Sequence, residues 1–113
     1  FTRAKSFDTF APCGPWITTK DEIDDPQNLK LLTKVNGTIR QNSTTSNMFI
    51  KIPSIISILS KSMTLEPGDI ISTGTAAGVA LNNPNVPYLK DGDLIEMEIE
   101  KMGSITNTVK FVD

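Results

Sequence analysis

The alternation of apolar and polar positions near the middle of the chain predicts a β-hairpin. Residues 29–35 alternate well enough for a strand with one buried face. Asn36 and Gly37 follow, and both tolerate the positive φ angles that a type I′ turn requires. Residues 38–41 are then predicted to form the returning strand.

A change to helical spacing predicts one amphipathic helix from Pro53 to about Ser62. Pro53 suits the first turn of a helix, because a backbone N–H at that position has no helical partner to lose. The apolar side chains that recur at helical spacing share one face, which we expect to pack on a sheet: Ile52, Ile55, Ile56, Leu59 and Met63.

Towards the C-terminus, strict alternation predicts two further strands. Positions 95, 97 and 99 are apolar, whereas Glu96, Glu98 and Glu100 share the opposite face, which we interpret as a solvated side of a sheet. A reversal at residues 103–104 leads into a closing strand. Shorter strands are predicted at residues 16–19 and 69–72, so the fold class is mainly β (α+β) with one helix.

The strand predicted at residues 69–72 runs into a loop of small and hydroxyl side chains, which is a candidate anion site. Gly74 and Gly78 allow a tight turn and a close approach of the backbone, because neither carries a Cβ atom. The hydroxyls of Thr73 and Thr75, beside exposed backbone N–H groups, could cradle a carboxylate or phosphate. Ordinary turns also show this pattern, so both interpretations stay open from the residues alone.

Composition excludes several classes of function. With 11 basic and 13 acidic residues the net charge is -2, so no basic field attracts nucleic acid, and no apolar run is long enough for a membrane span. The absence of histidine removes Ser-His-Asp and Cys-His catalysis. Cys13 is the single cysteine, which excludes an internal disulfide and favours a reducing, cytoplasmic location.

Five groups of motifs follow one another in order and spacing along nearly the whole chain. They are Arg3-Ala4-Lys5-Ser6-Phe7-Asp8 with residues 12–16; Val35-Asn36-Gly37 with Arg40-Gln41 and residues 44–48; residues 63–71; Thr73-Gly74-Thr75 with Gly78-Val79; and residues 89–93 leading into residues 96–100. In this combination they resemble the C-terminal catalytic domain of the fumarylacetoacetate hydrolase family.

The resemblance implies a mixed β-sheet rolled into a flattened barrel, usually in a homodimer. It also implies an enzyme that uses Mg²⁺ or another divalent cation on a small 2-oxo or 2-hydroxy-dienoic acid. The family's metal-binding carboxylates lie upstream of the lysine that matches Lys5. We therefore expect no metal ligand in this segment, and we reject the glutamates at positions 96, 98 and 100 for that role. Because the chain also begins at Phe1 without a methionine, we interpret residues 1–113 as the C-terminal portion of a longer catalytic domain.

The resemblance also assigns roles to individual residues. Lys5 matches the active-site lysine, whose ammonium can neutralise carboxylate or enolate charge. Thr75, with the backbone of Gly74, matches the site that contacts the substrate carboxylate. Gln41 is a further candidate for the substrate pocket, although a polar residue at a hairpin end is a competing interpretation. The family's loop usually has a proline where this chain has Ala76, which leaves its substrate class open.

These observations support two hypotheses of different kinds. The first is a metal-dependent enzyme that isomerises, hydrolyses at a C–C bond, decarboxylates or dehydrates a small 2-oxo or 2-hydroxy-dienoic acid in carbon or aromatic degradation. The second is a non-catalytic β-domain for assembly or ligand binding. A nucleic-acid module is disfavoured by the charge balance and by an aromatic content of 6%.

Overall fold

The computed structural model of the protein describes residues 2–81 and 83–112. Its elements, in chain order, are α1 (Thr2–Lys5), β1 (Lys30–Val35), β2 (Thr38–Thr44), α2 (Ile52–Leu59), β3 (Leu94–Ile99) and β4 (Gly103–Thr108), with short 3-10 turns at Lys20–Glu22 and Thr45–Asn47. The strands form one sheet in the order β2-β1-β3-β4. The predicted mainly β class with one amphipathic helix is confirmed.

Strands β1 and β2 form the predicted hairpin. Asn36 has a φ of 50° and Gly37 a φ of 76°, as a type I′ turn requires. The register pairs Val35 with Thr38 next to the turn, but it shifts between Thr33 and Lys34, so that Arg40 is an extra residue on β2. This is a β-bulge, which bends the strand and redirects the side chains beyond it.

Strands β3 and β4 complete the sheet, and every strand pair among the described residues is antiparallel. The parallel pairing of a mixed sheet is therefore not seen in this part of the protein. The predicted strands at residues 16–19 and 69–72 are also absent from the sheet, and that prediction is wrong. Neither segment pairs with a strand within residues 2–81 and 83–112, and Ile70 is 82% exposed.

A hydrogen-bonded cluster ties the β1–β2 turn to the start of β3. The side chain of Asn36 donates to Asp93 at 2.8 Å and accepts from the backbone N–H of Leu94 at 2.8 Å. Asp93 also accepts from the backbone N–H of Lys90 at 2.8 Å. These bonds favour the carboxylate, so the backbone of Lys90 and then the amide of Asn36 hold the pKa of Asp93 below its ordinary 3.8.

Helix α2 begins one residue before Pro53, as predicted to within a turn. Its first backbone N–H, from Ile52, donates to the side chain of Gln27 at 2.6 Å. Ile55 of this helix lines a hollow together with Leu31 of β1 and Ile99 of β3. No residue of α2 is buried, however, and the expected close packing on the sheet is not found because the hollow separates them.

The buried apolar core of the described residues is small and consists of Ile23, Leu29 and Val35. Many large apolar side chains remain exposed on several elements. One of them, Trp16 at 61% exposed, lies against the hairpin of β3 and β4, where a Cβ at Gly103 would come within 2.8 Å of its ring. Across residues 2–81 and 83–112, no helix has the length and apolar content needed to cross a membrane.

Candidate functional site

The predicted glycine-rich loop borders a hollow of about 530 Å³ over the sheet. Residues 73–76 form one wall, and the end of β2, the 3-10 turn after it and α2 form the others. Five hydroxyl side chains line it: Ser43, Thr44, Thr45, Thr73 and Thr75. The hollow therefore combines hydroxyl donors with apolar walls, which suits a small, polar, partly apolar ligand.

A second and mainly apolar hollow of about 310 Å³ is lined by residues 78–81 and 86–89 together with residues of the sheet. Its lining residues with polar side chains are Thr33, Arg40, Gln41 and Tyr88. The Nε atom of Arg40 is buried, and no hydrogen-bond partner for it lies among the described residues. Gln41 lines this second hollow, and its side chain bonds to Thr75, which lines the first.

Three hydrogen bonds connect Gln41 to the strand beside it and to the glycine-rich loop. Its amide oxygen accepts from the hydroxyl of Thr33 at 2.9 Å. Its amide nitrogen donates to the hydroxyl oxygen of Thr75 at 2.9 Å and to the backbone carbonyl of Ala76 at 2.8 Å. These bonds attach the loop to β2 at Thr75, the candidate carboxylate contact, and at the next residue, Ala76.

Gly78 shows the close backbone approach that the sequence predicts. Its φ is +112°, and a Cβ atom there would overlap the carbonyl oxygen of Arg40 and lie 2.9 Å from its carbonyl carbon. The approach is made to the bulged residue of β2, so the bulge and the glycine fit each other. Gly74 has the same φ of +112°, but nothing lies within 4 Å of its Cβ position.

The candidate substrate-binding residues Gly74 and Thr75 line the first hollow, whereas Gln41 lies behind Thr75. Thr75 is exposed, as a side chain that meets a ligand must be. Lys5 lies at the end of α1 and is exposed, but it is not among the residues that line this hollow. A shared cavity for Lys5 and Thr75 stays a prediction.

The described residues do not supply a metal site. Among residues 2–81 and 83–112, no group of three or more histidine, cysteine, aspartate or glutamate side chains is placed to hold an ion. Glu100 instead accepts a hydrogen bond from the backbone N–H of Lys30 at 3.1 Å. The donor set therefore does not fit a resident divalent cation.

Thr33 is a residue that sequence reasoning missed. A regular hairpin with the observed turn would place Arg40 opposite Thr33 and would direct Gln41 to the other face of the sheet. The bulge places Gln41 opposite Thr33 instead. No local sequence signal announces the bulge, although the glycine at position 78 is compatible with the close contact that accompanies it.

Comparison with known proteins agrees with the resemblance in the motifs. Residues 1–110 match the family described as "Fumarylacetoacetate (FAA) hydrolase C-terminal". A mitochondrial oxaloacetate tautomerase of Bos taurus is 47% identical over 105 residues, which cover 93% of this chain and 33% of that protein. The chain spans 33% to 41% of the length of the curated relatives that it matches.

Solved structures have the same fold and a similar sequence. Fumarylacetoacetate hydrolase from Exiguobacterium antarcticum has a TM-score of 0.91 at 44% identity, over 97% of this chain and 39% of that one. Maleylpyruvate hydrolase from Sphingobium sp. SYK-6, in complex with manganese(II) and pyruvate, has a TM-score of 0.83 at 41% identity, over 92% of this chain and 37% of that one. The chain therefore belongs to the fumarylacetoacetate hydrolase family, and residues 1–110 match the C-terminal model of that family.

Proposed function

We propose that this chain is the substrate-carboxylate-binding part of a metal-dependent enzyme that acts on a small 2-oxo or 2-hydroxy-dienoic acid. The relatives named above are two hydrolases and a tautomerase, and one of the hydrolases was solved with manganese(II) and pyruvate, a 2-oxo acid. Isomerisation, C–C bond hydrolysis, decarboxylation and dehydration are all compatible with such a substrate.

The observation that carries the proposal is the exposed Thr75 hydroxyl at the rim of a hydroxyl-lined hollow. Its oxygen already accepts a hydrogen bond from Gln41, so its proton is available to a ligand. A carboxylate offers acceptors only, so it is the complementary group. Lys5 is proposed to bring its ammonium to the same substrate, where it would stabilise negative charge that develops during the reaction.

The divalent cation is part of the proposal, and its ligands are proposed to come from residues upstream of this segment. The manganese(II) in the Sphingobium structure supports a divalent ion, without deciding between magnesium and manganese. The residues described for this chain would bind and orient the organic substrate, not the ion. The proposed homodimer and a cytoplasmic location are likewise expectations for the whole protein.

The test is an activity screen of the protein at the length of its relatives. Acylpyruvates, oxaloacetate, 2-hydroxy-dienedioates and 2-keto-3-deoxy sugar acids would each be assayed with Mg²⁺ or Mn²⁺ and after chelation. We expect turnover of at least one of these acids, with the rate lost on chelation and restored by the ion. Failure to turn over or bind any member of these classes, with folding intact, would refute the enzymatic proposal.

A second candidate function is a non-catalytic β-domain that serves assembly. The small core of the described residues and the many exposed apolar side chains favour contact with further protein. The same screen separates the two proposals, because an assembly domain would associate with its partner but leave every acid unchanged.

A further inference from the structure

We infer that Gln41 is a positioning residue that holds the Thr75 hydroxyl as a hydrogen-bond donor to the ligand. The inference deepens the proposed function and rests on it. It concerns a residue for which the sequence motifs indicate only a place near the substrate pocket. Its basis is the hydrogen-bond chain Thr33–Gln41–Thr75, which joins two strands to the glycine-rich loop.

The amide of Gln41 has no donor left for a substrate. A glutamine side chain has two N–H groups, and here one donates to Thr75 and the other to the carbonyl of Ala76. Its amide oxygen accepts from Thr33. Gln41 therefore serves the loop and not the ligand directly, which separates its role from that of Thr75.

The chemistry of the partners fixes the orientation of this amide. The carbonyl of Ala76 can only accept, so the amide nitrogen must face it. The oxygen then faces Thr33, whose hydroxyl can donate to it. With the amide held at both ends, the nitrogen presents a proton to the Thr75 hydroxyl, which has to act as an acceptor there.

The hydrogen bonds from Thr33 to Gln41 and from Gln41 to Thr75 therefore define the direction in which the Thr75 hydroxyl donates. Because Thr75 accepts from Gln41, its own proton points to the remaining directions, which include the hollow that Thr75 lines. A group that only accepts, such as a carboxylate, can receive this proton. Gln41 thus tunes the affinity for substrate through Thr75, without touching the substrate itself.

The experiment is a double-mutant cycle in the protein at the length of its relatives. Gln41→Met removes both donors at similar size, and Thr75→Val removes the hydroxyl. We expect Gln41→Met alone to raise KM and the Kd for pyruvate about tenfold with kcat changed less, because loss of one ordered hydrogen bond weakens ground state and transition state alike. In the Thr75→Val background the same change should cost less than about twofold.

Two further variants protect the test against misfolding. Gln41→Glu keeps the shape but cannot donate to Thr75, so it should also raise KM. Thr33→Val removes only the hydrogen bond to the amide oxygen of Gln41. It should raise KM by about threefold, and only in a protein that keeps Thr75. Asn42→Met, on the next and exposed residue of the same strand, is the matched control and should leave KM unchanged.

The outcomes separate this inference from the function it rests on. If the wild-type protein neither turns over a 2-oxo acid nor binds pyruvate, the proposed function fails and the inference fails with it. If the wild type is active but Gln41→Met costs the same factor with and without Thr75, Gln41 acts independently of Thr75. The inference alone is then overturned. An unchanged KM in folded Gln41→Met and Gln41→Glu would overturn it as well.

Discussion

Gly78→Ala is expected to destabilise the protein by more than the identical change at Gly74. Both glycines have a φ of +112°, which is unfavourable for any residue with a Cβ atom, so backbone strain is common to the two variants. Only at position 78 does the new methyl group meet other atoms. It would overlap the carbonyl oxygen of Arg40 and lie 3.1 Å from Cγ of Gln41.

The size of the difference follows from how the clash is relieved. If the loop stays in place, the overlap is an overpacking defect, which costs about 1–3 kcal/mol. If the loop moves away, the bonds from Gln41 to Thr75 and to the carbonyl of Ala76 are lost, at about 1 kcal/mol each. Both routes lead to an extra loss of about 2 kcal/mol for Gly78→Ala, beyond about 1–3 kcal/mol of strain in each variant.

The measurement is equilibrium urea unfolding of the two variants and the wild type, in the protein at the length of its relatives. The quantity compared is the difference in free energy of unfolding between Gly78→Ala and Gly74→Ala, with m-values checked for equality. Equal losses in the two variants would refute the argument, because they would mean that the approach of Gly78 to β2 does not exist in solution. A loss confined to Gly74→Ala would refute it more directly.

Three further changes test other parts of the molecule. Lys5→Ala should lower kcat/KM by about 10²-fold or more, the size expected for a charge-stabilising group, and a folded variant with wild-type activity would remove Lys5 from the mechanism. Gly103→Ala should lower the free energy of unfolding by about 1–3 kcal/mol more than Gly92→Ala. Both glycines have a positive φ, but only a methyl group at position 103 would meet the ring of Trp16. Equal urea midpoints for the two variants would contradict this contact. Because the pKa of Asp93 is lowered on folding, its carboxylate contributes stability that is present above the ordinary pKa of 3.8 and is lost as pH falls through the lower folded value. Below about pH 4, the free energy of unfolding should therefore fall less steeply with pH in Asp93→Asn than in the wild type. Parallel acid profiles would argue against the hydrogen bonds to that carboxylate.

Much of the local structure could be predicted from short stretches of sequence. The turn at Asn36-Gly37 and the first turn of α2 at Pro53 depend on φ preferences of single residues. The alternation over β3 depends only on a period of two, which places Ile95 and Ile99 on the same face of the strand. In the structure these two side chains line the two hollows. Family membership was also recognisable, because motifs in a fixed order carry more information than any one of them.

The predictions that failed all needed knowledge of distant neighbours. Residues 69–72 have the composition of a strand, but a strand requires a paired neighbour, and the described structure offers them none. The apolar stripe of α2 was expected to be buried, yet a hollow separates it from the sheet, so Ile56 remains 45% exposed. Local propensity determines what a segment can form, whereas pairing and burial depend on what lies beside it.

From the sequence, the family resemblance predicts two residues that contact an acid, the lysine at position 5 and the glycine-flanked threonine at position 75. The tertiary structure alone decided which residue supports that threonine. One extra residue at Arg40 shifts the register, turns Gln41 towards the loop and sets it opposite Thr33. Side chains alternate between the two faces of a strand, so a bulge of one residue moves every side chain beyond it to the other face.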